Sequence, residues 1–191
     1  MATPIRTDSK VAQLVSLLDE AMIHEEKSAR CLAVKAVLEE VVRTGRCVLD
    51  AHDMTPTPDR YARRLLHRDP AGRYSVLAMV WGPGQGTPLH DHASMWCVEC
   101  VYKGRIKVVS YSQGASPSPE VHAFAPEQTI YAGPGEAGAL IPPFDYHTLE
   151  NMESEPTVTL HVYGGEMTWC HAFIPSEGGY RRELRQLGYT E

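Results

Sequence analysis

The sequence predicts a mainly β protein, a sandwich or closed barrel of short strands introduced by two or three α-helices. Two observations carry this. Up to about residue 68, apolar residues recur at helical spacing, whereas from residue 73 to 175 short apolar or alternating runs are separated by Gly/Pro turn clusters. A chain of 191 residues with 43% hydrophobic and 22% charged content suits a single domain with a sizeable core.

Between residues 9 and 26, Val11, Leu14, Val15, Leu18, Ala21 and Met22 lie on one helical face, and Leu32, Val34, Val37 and Val41 repeat the pattern over residues 31–42. Arg43-Thr44-Gly45 stops the second helix. Thr55-Pro56-Thr57-Pro58-Asp59 reads as a turn followed by a short helix carrying Tyr61, Arg63, Leu65 and Leu66, which completes a helical part over residues 1–68. Strands are expected at 74–81, 96–102, 105–111, 121–124, 139–141, 158–163 and 167–173, with turns such as Gly82-Pro83-Gly84, Lys103-Gly104 and Gly133-Pro134-Gly135 between them. Residues 176–191 read as a solvated helix or tail. No internal repeat breaks this order.

A net charge of -6 and a pI near 5.8 exclude the basic field that nucleic-acid binding needs. No run reaches the roughly 18 apolar residues of a membrane span, and residues 1–8 lack the apolar core of a signal peptide, so a cytoplasmic monomer is expected. Five cysteines at scattered positions argue against a disulfide framework. Each is read as a buried or functional thiol.

His90-Asp91-His92 is the most informative tripeptide. Alternate residues of a strand share a face, so both imidazoles can reach one metal ion while Asp91 points away. Alone, such a pair is as readily two surface or core-satisfied histidines as a metal site. Here it follows a strand and a glycine-rich turn over residues 81–89, and His147 recurs downstream at the start of another strand region. Three histidines suit zinc as well as iron, so ligand type alone does not choose the metal. In the run Thr159-Leu160-His161-Val162-Tyr163, the hydroxyl, imidazole and phenol share one face. Cys97-Val98-Glu99-Cys100 is no zinc knuckle, because its thiols face opposite sides and no second pair exists. His24, His52, His67 and His122 are expected at the surface, and Trp81, Trp96 and Trp169 in the core or pocket wall.

Gly84, five residues, His90-x-His92, four residues, Cys97, six residues and Gly104 together resemble the first cupin motif, with cysteine in place of the usual glutamate ligand. The second motif is looser. Pro142, His147 and Asn151 fit, Phe144 takes the usual glycine position, and the preceding glycine is one residue out of register at Gly135. Cysteine for glutamate is similar to the cysteine dioxygenase family of thiol dioxygenases, and the likeness extends over residues 61–173, including Cys170-His171-Ala172-Phe173.

That resemblance implies a cupin-type jelly-roll β-barrel holding iron(II) on His90, His92 and His147. Without a carboxylate ligand the ion stays electrophilic and suits an anionic thiolate. It further implies a relay in which Thr159, where the best-known members have serine, orients His161, and His161 bonds Tyr163, whose phenol meets the substrate or oxygen. Arg63, supported by Tyr61, would pair with the substrate carboxylate. Related bacterial mercaptopropionate dioxygenases carry glutamine there, so this chain looks like a bacterial type with arginine. Cysteine is then the expected substrate, oxidised by O2 to the sulfinic acid, with 3-mercaptopropionate as rival. Cys97 and Tyr163 are the pair that family members join by a thioether. A reading of another class is a non-redox metal-binding cupin, a sensor or small-molecule module.

Overall fold

The apolar stripe Val11, Leu14, Leu18 and Ala21 winds into helix α1 (Ser9–Ala21), and Cys31, Val34, Leu38 and Val41 into α2 (Lys27–Arg43), in the computed structural model, which describes residues 9–191. Helix α2 starts where the Glu26 carboxylate accepts from the Ser28 and Ala29 N–H groups at 2.9 and 2.6 Å, bonds that also lower its pKa. It stops at Thr44, followed by Gly45 at a φ of 67°, as the Arg43-Thr44-Gly45 signal predicts.

Twelve strands follow among the described residues: β1 (Ala62–Arg68), β2 (Ser75–Trp81), β3 (Leu89–His90), β4 (Cys97–Lys103), β5 (Ile106–Gln113), β6 (Val121–His122), β7 (Phe124–Ala132), β8 (Ala137–Leu140), β9 (His147–Glu150), β10 (Thr157–Tyr163), β11 (Trp169–Ser176) and β12 (Gly179–Gln186). They pair antiparallel in two sheets, ordered β1-β2-β10-β4-β8 and β6-β12-β11-β3-β9-β5-β7. This is the jelly-roll barrel of the sequence reading, with two helices rather than three.

Strands β2 and β10 are buried on both faces, which is why they read as nearly unbroken apolar runs. Their period of two divides the molecule into two cores. Val76, Ala78, Val80, Leu160 and Val162 meet the helices on the outside of the five-stranded sheet. Leu77, Met79, Trp81 and Tyr163 point inward, where Cys97, Leu149 and Cys170 join them. Cys97 and Cys100 therefore lie on opposite sides of β4, as expected. All five cysteines are free.

Three expectations are corrected. The short helix over Tyr61, Arg63, Leu65 and Leu66 is strand β1, so the helical part ends before residue 62 rather than at 68. Ala62 and Leu66 face the helices while Tyr61 and Leu65 face the interior, and a register shift between Leu65 and His67 breaks the alternation that would have marked a strand. Residues 176–191 are not a solvated tail. Gly178 and Gly179, both at positive φ, turn the chain into β12, which pairs with β11 along its whole length. The strand expected at 121–124 is two strands, and β7 runs on to Ala132. It is an exposed edge strand interrupted by Pro126, so it lacks the apolar alternation that announces buried ones.

No helix among the described residues is long and apolar enough to cross a membrane. The reading of residues 1–8 lies outside the described residues.

Candidate active site

The interior of the barrel holds a cavity of about 520 Å³, and His90, His92, His147, His161, Tyr163 and Arg63 all line it. His90 ends β3 and His147 begins β9, directly opposite each other in the ladder. His92 follows two residues after His90. The chain then reverses through Ala93 and Ser94, two non-glycine residues at φ of 51° and 64°, a strained turn that returns it to β4. Asp91 holds this turn from outside: Oδ1 accepts from Ala93 N–H and His171 N–H, and Oδ2 lies 2.8 Å from His171 Nδ1. Its outward direction matches the alternation read from the sequence, and it gives His171 a structural task.

The candidate ligand nitrogens of His90, His92 and His147 lie within 4.8 Å of one another. Nε2 of His90 and of His147 are 3.3 Å apart, and each Nδ1 is turned to an oxygen: the Pro88 carbonyl at 3.0 Å for His90, Asp145 Oδ2 at 3.2 Å for His92, and Glu99 Oε1 at 3.6 Å for His147. A carbonyl or carboxylate can only accept, so the Pro88 and Asp145 oxygens favour the proton on Nδ1 of His90 and His92 and leave each Nε2 as a lone pair facing the cavity. Burial, then the neighbouring His92, pushes His90 down to about 3, and burial with the adjacent imidazoles holds His147 well below the ordinary range. Both are in the neutral form that binds metals. The set fits an imidazole-bound transition ion.

Beside it, Trp81 Nε1–H donates to Thr159 Oγ1 at 2.9 Å, Thr159 Oγ1 lies 2.8 Å from His161 Nε2, and His161 Nδ1 lies 3.4 Å from the Tyr163 hydroxyl. Burial lowers His161 to about 3 and raises Tyr163 well above its usual range, so the imidazole is neutral and the phenol keeps its proton. Cys97 faces Tyr163 across the β4–β10 ladder, with Sγ 4.0 Å from His161 Nδ1; burial, then Glu99, raises its thiol well above the ordinary value.

Arg63, 6% exposed, projects from β1 into the cavity. Its Nη1 donates to the Gly188 carbonyl at 2.9 Å and its Nη2 to that of Met167 at 3.2 Å, while the guanidinium lies over the Tyr189 ring. Tyr61 stacks on Trp81 with ring centroids 4.6 Å apart. Cys170 lines the same cavity.

Sequence reasoning missed three contributors. Glu99 is an interior carboxyl, pushed up to about 8 by burial; an acidic residue two places after Cys97 in an apolar strand was the available signal. Asp145, buried two residues before His147, takes both the backbone N–H and Nδ1 of His92, and nothing in the sequence marks it. The segment after β12 closes the cavity through Gly188, Tyr189 and Thr190. Two of the histidines expected at the surface are half-buried: His67 against Tyr74 and His122 against Phe173. His52 is exposed and does have Asp50 and Asp53 nearby, but those carboxylates accept from each other's backbone N–H within a turn.

The family model for cysteine dioxygenase type I matches residues 6–176. Cysteine dioxygenase type 1 of Homo sapiens is 23% identical over 186 residues, covering 92% of this chain and 84% of that protein. The Rattus norvegicus protein of the same name is 25% identical over 178 residues, covering 88% and 80%. The solved structure of TT1209 from Thermus thermophilus superposes with a TM-score of 0.45 at 19% identity, over 61% of this chain and 95% of that one.

Proposed function

Because the chain belongs to the cysteine dioxygenase type I family, we propose that it is an iron(II)-dependent dioxygenase that converts cysteine and O2 to cysteine sulfinic acid. The observation that carries this reading is the convergence of three imidazoles, those of His90 and His147 held neutral, next to a protonated, hydrogen-bonded tyrosine. His90, His92 and His147 would hold the ion, which supplies a centre able to bind a thiolate and activate dioxygen. Both oxygen atoms end on the sulfur, so the reaction balances without an external reductant.

The protein's own groups do the rest. The cluster has no carboxylate among its three imidazoles, and His90 and His147 are held uncharged, so an anionic thiolate is the natural complement to the site. Arg63 uses two of its N–H donors on the carbonyls of Gly188 and Met167, which fix the fork and leave the others for a carboxylate. Tyr61, braced on Trp81, supports that end of the cavity. Tyr163 holds a proton at its hydroxyl oxygen, aimed by His161 and, behind it, Thr159. Cys97 and Tyr163, opposite each other in the ladder, are the pair for a thioether made by joining Sγ to the ring with loss of two hydrogens to dioxygen. Intact mass after turnover reads this step directly.

The test is sulfinate formation by the iron-loaded protein from cysteine and from 3-mercaptopropionate. Higher kcat/KM for cysteine is expected, since arginine at residue 63 favours it. Preference for 3-mercaptopropionate would overturn the substrate, and no thiol-dependent oxygen uptake would leave a metal-binding module.

A further inference from the structure

The carboxyl group of Glu99 stands between two histidines that belong to different parts of the site. Oε1 lies 3.6 Å from His147 Nδ1 and Oε2 lies 3.6 Å from His161 Nδ1. Glu99 Oε2 and His147 Nδ1 are both buried without a hydrogen-bond partner; the group facing each is His161 Nδ1 and Glu99 Oε1 respectively, just beyond bonding distance. No arginine or lysine is ion-paired to Glu99 among the described residues.

The chemistry of the neighbours decides where the protons lie. His147 Nε2 lies 3.3 Å from His90 Nε2 at the cluster, so the tautomer that offers Nε2 to a metal carries its single N–H on Nδ1, facing Glu99. Thr159 Oγ1 already accepts from the Trp81 indole, and its own O–H is available to His161 Nε2. The proton of His161 then also belongs on Nδ1, again facing Glu99. We infer that Glu99, in its ionised form, is a positioning residue that accepts from Nδ1–H of both His147 and His161, fixing the tautomer of each and joining the histidine cluster to the Thr159, His161, Tyr163 chain. It places behind His147 the carboxylate that the three-histidine set lacks. The inference rests on the proposed role of that set, but the tautomers are observable without any turnover.

The experiment is long-range ¹⁵N–¹H correlation of the histidine rings in the metal-free protein, with Co(II) titration of the same samples, for wild type, Glu99→Gln and Glu99→Leu. Wild type is expected to show the Nδ1–H tautomer at both His147 and His161. Glu99→Leu removes both acceptors in an apolar shape the core can hold. It should leave His147 as a mixture of tautomers and weaken Co(II) binding about 10- to 100-fold, the usual effect of losing a ligand's hydrogen-bond partner. Glu99→Gln keeps one acceptor oxygen and should fall between, which preserves the test if the leucine variant does not fold. The Nε2–H tautomer at His147 in wild type, or unchanged tautomers and Co(II) affinity in a folded variant, would overturn the inference. Loss of the proposed thiol chemistry with these results intact would overturn only the proposed function.

Discussion

At the scale of single residues, Arg63 is the group on which the proposed choice of substrate rests. It is held before any substrate arrives, by two backbone carbonyls and the face of Tyr189. A bidentate, charge-assisted contact to a carboxylate contributes about 3 kcal/mol, so Arg63→Leu should lower kcat/KM for cysteine roughly 100-fold, chiefly through KM, in steady-state assays. An unchanged KM would remove Arg63 from the substrate site. Arg63 came from the family resemblance, on a segment read as a helix, whereas the histidine pair and the relay strand were legible because residue type and period-two spacing carry their chemistry. Glu99 and Asp145 were not, because a carboxylate behind an imidazole is defined by the pairing of β3 with β9 and of β4 with β10, not by a neighbour in the chain.

Among the elements, the last strand and the segment beyond it matter more than their polarity implied. Thr190 N–H donates to the Arg63 carbonyl at 2.7 Å and its hydroxyl accepts from Arg63 N–H at 3.1 Å, so the end of the chain is sewn to β1 beside the cavity. Ending the chain after Gln186 removes Gly188, Tyr189 and Thr190 together. KM for cysteine should rise at least about tenfold, given that each neutral hydrogen bond is worth about 1 kcal/mol, with β12 still paired in amide exchange. The turn between β1 and β2 sets an acid limit. Asp69 accepts from Arg73, which also pairs with Asp19 of α1, and those bonds pull its carboxyl down to about 2 from an ordinary 3.8. Since the folded carboxyl ionises more readily than the unfolded one, its stabilisation is complete above about pH 4 and fades as pH falls toward 2. Arg73 is partly exposed, so the amount is on the order of 1 kcal/mol. Urea melts across this range should show Asp69→Asn losing less stability on acidification than wild type; parallel curves would contradict it. These two regions were also where the sequence was hardest to read. A bulge hid β1, and β12 is exposed along most of its length, with no buried face to impose an apolar alternation.

Over the whole molecule, the five-stranded sheet separates two cores with different tasks. Its outer face and the helices form an apolar layer around Leu14, Leu18 and Leu38 that contains no candidate site residue, while its inner face carries Thr159, His161, Tyr163, Cys97 and Glu99. Leu38→Ala should therefore cost about 2–5 kcal/mol in chemical denaturation and leave kcat of the folded enzyme unchanged. A matching fall in kcat would mean the layers are coupled. The barrel and its helical cover were legible from the switch in hydrophobic period; the sheet order and the closing C-terminal segment came only from long-range pairing. The central claim, that this barrel adds both atoms of dioxygen to the sulfur of cysteine, is tested most directly by mass spectrometry of the product made by the iron-loaded protein under ¹⁸O2. Cysteine sulfinic acid carrying two labelled oxygens is expected, with one dioxygen consumed per sulfinate; a product with one label, or disulfide alone, would rule out this chemistry.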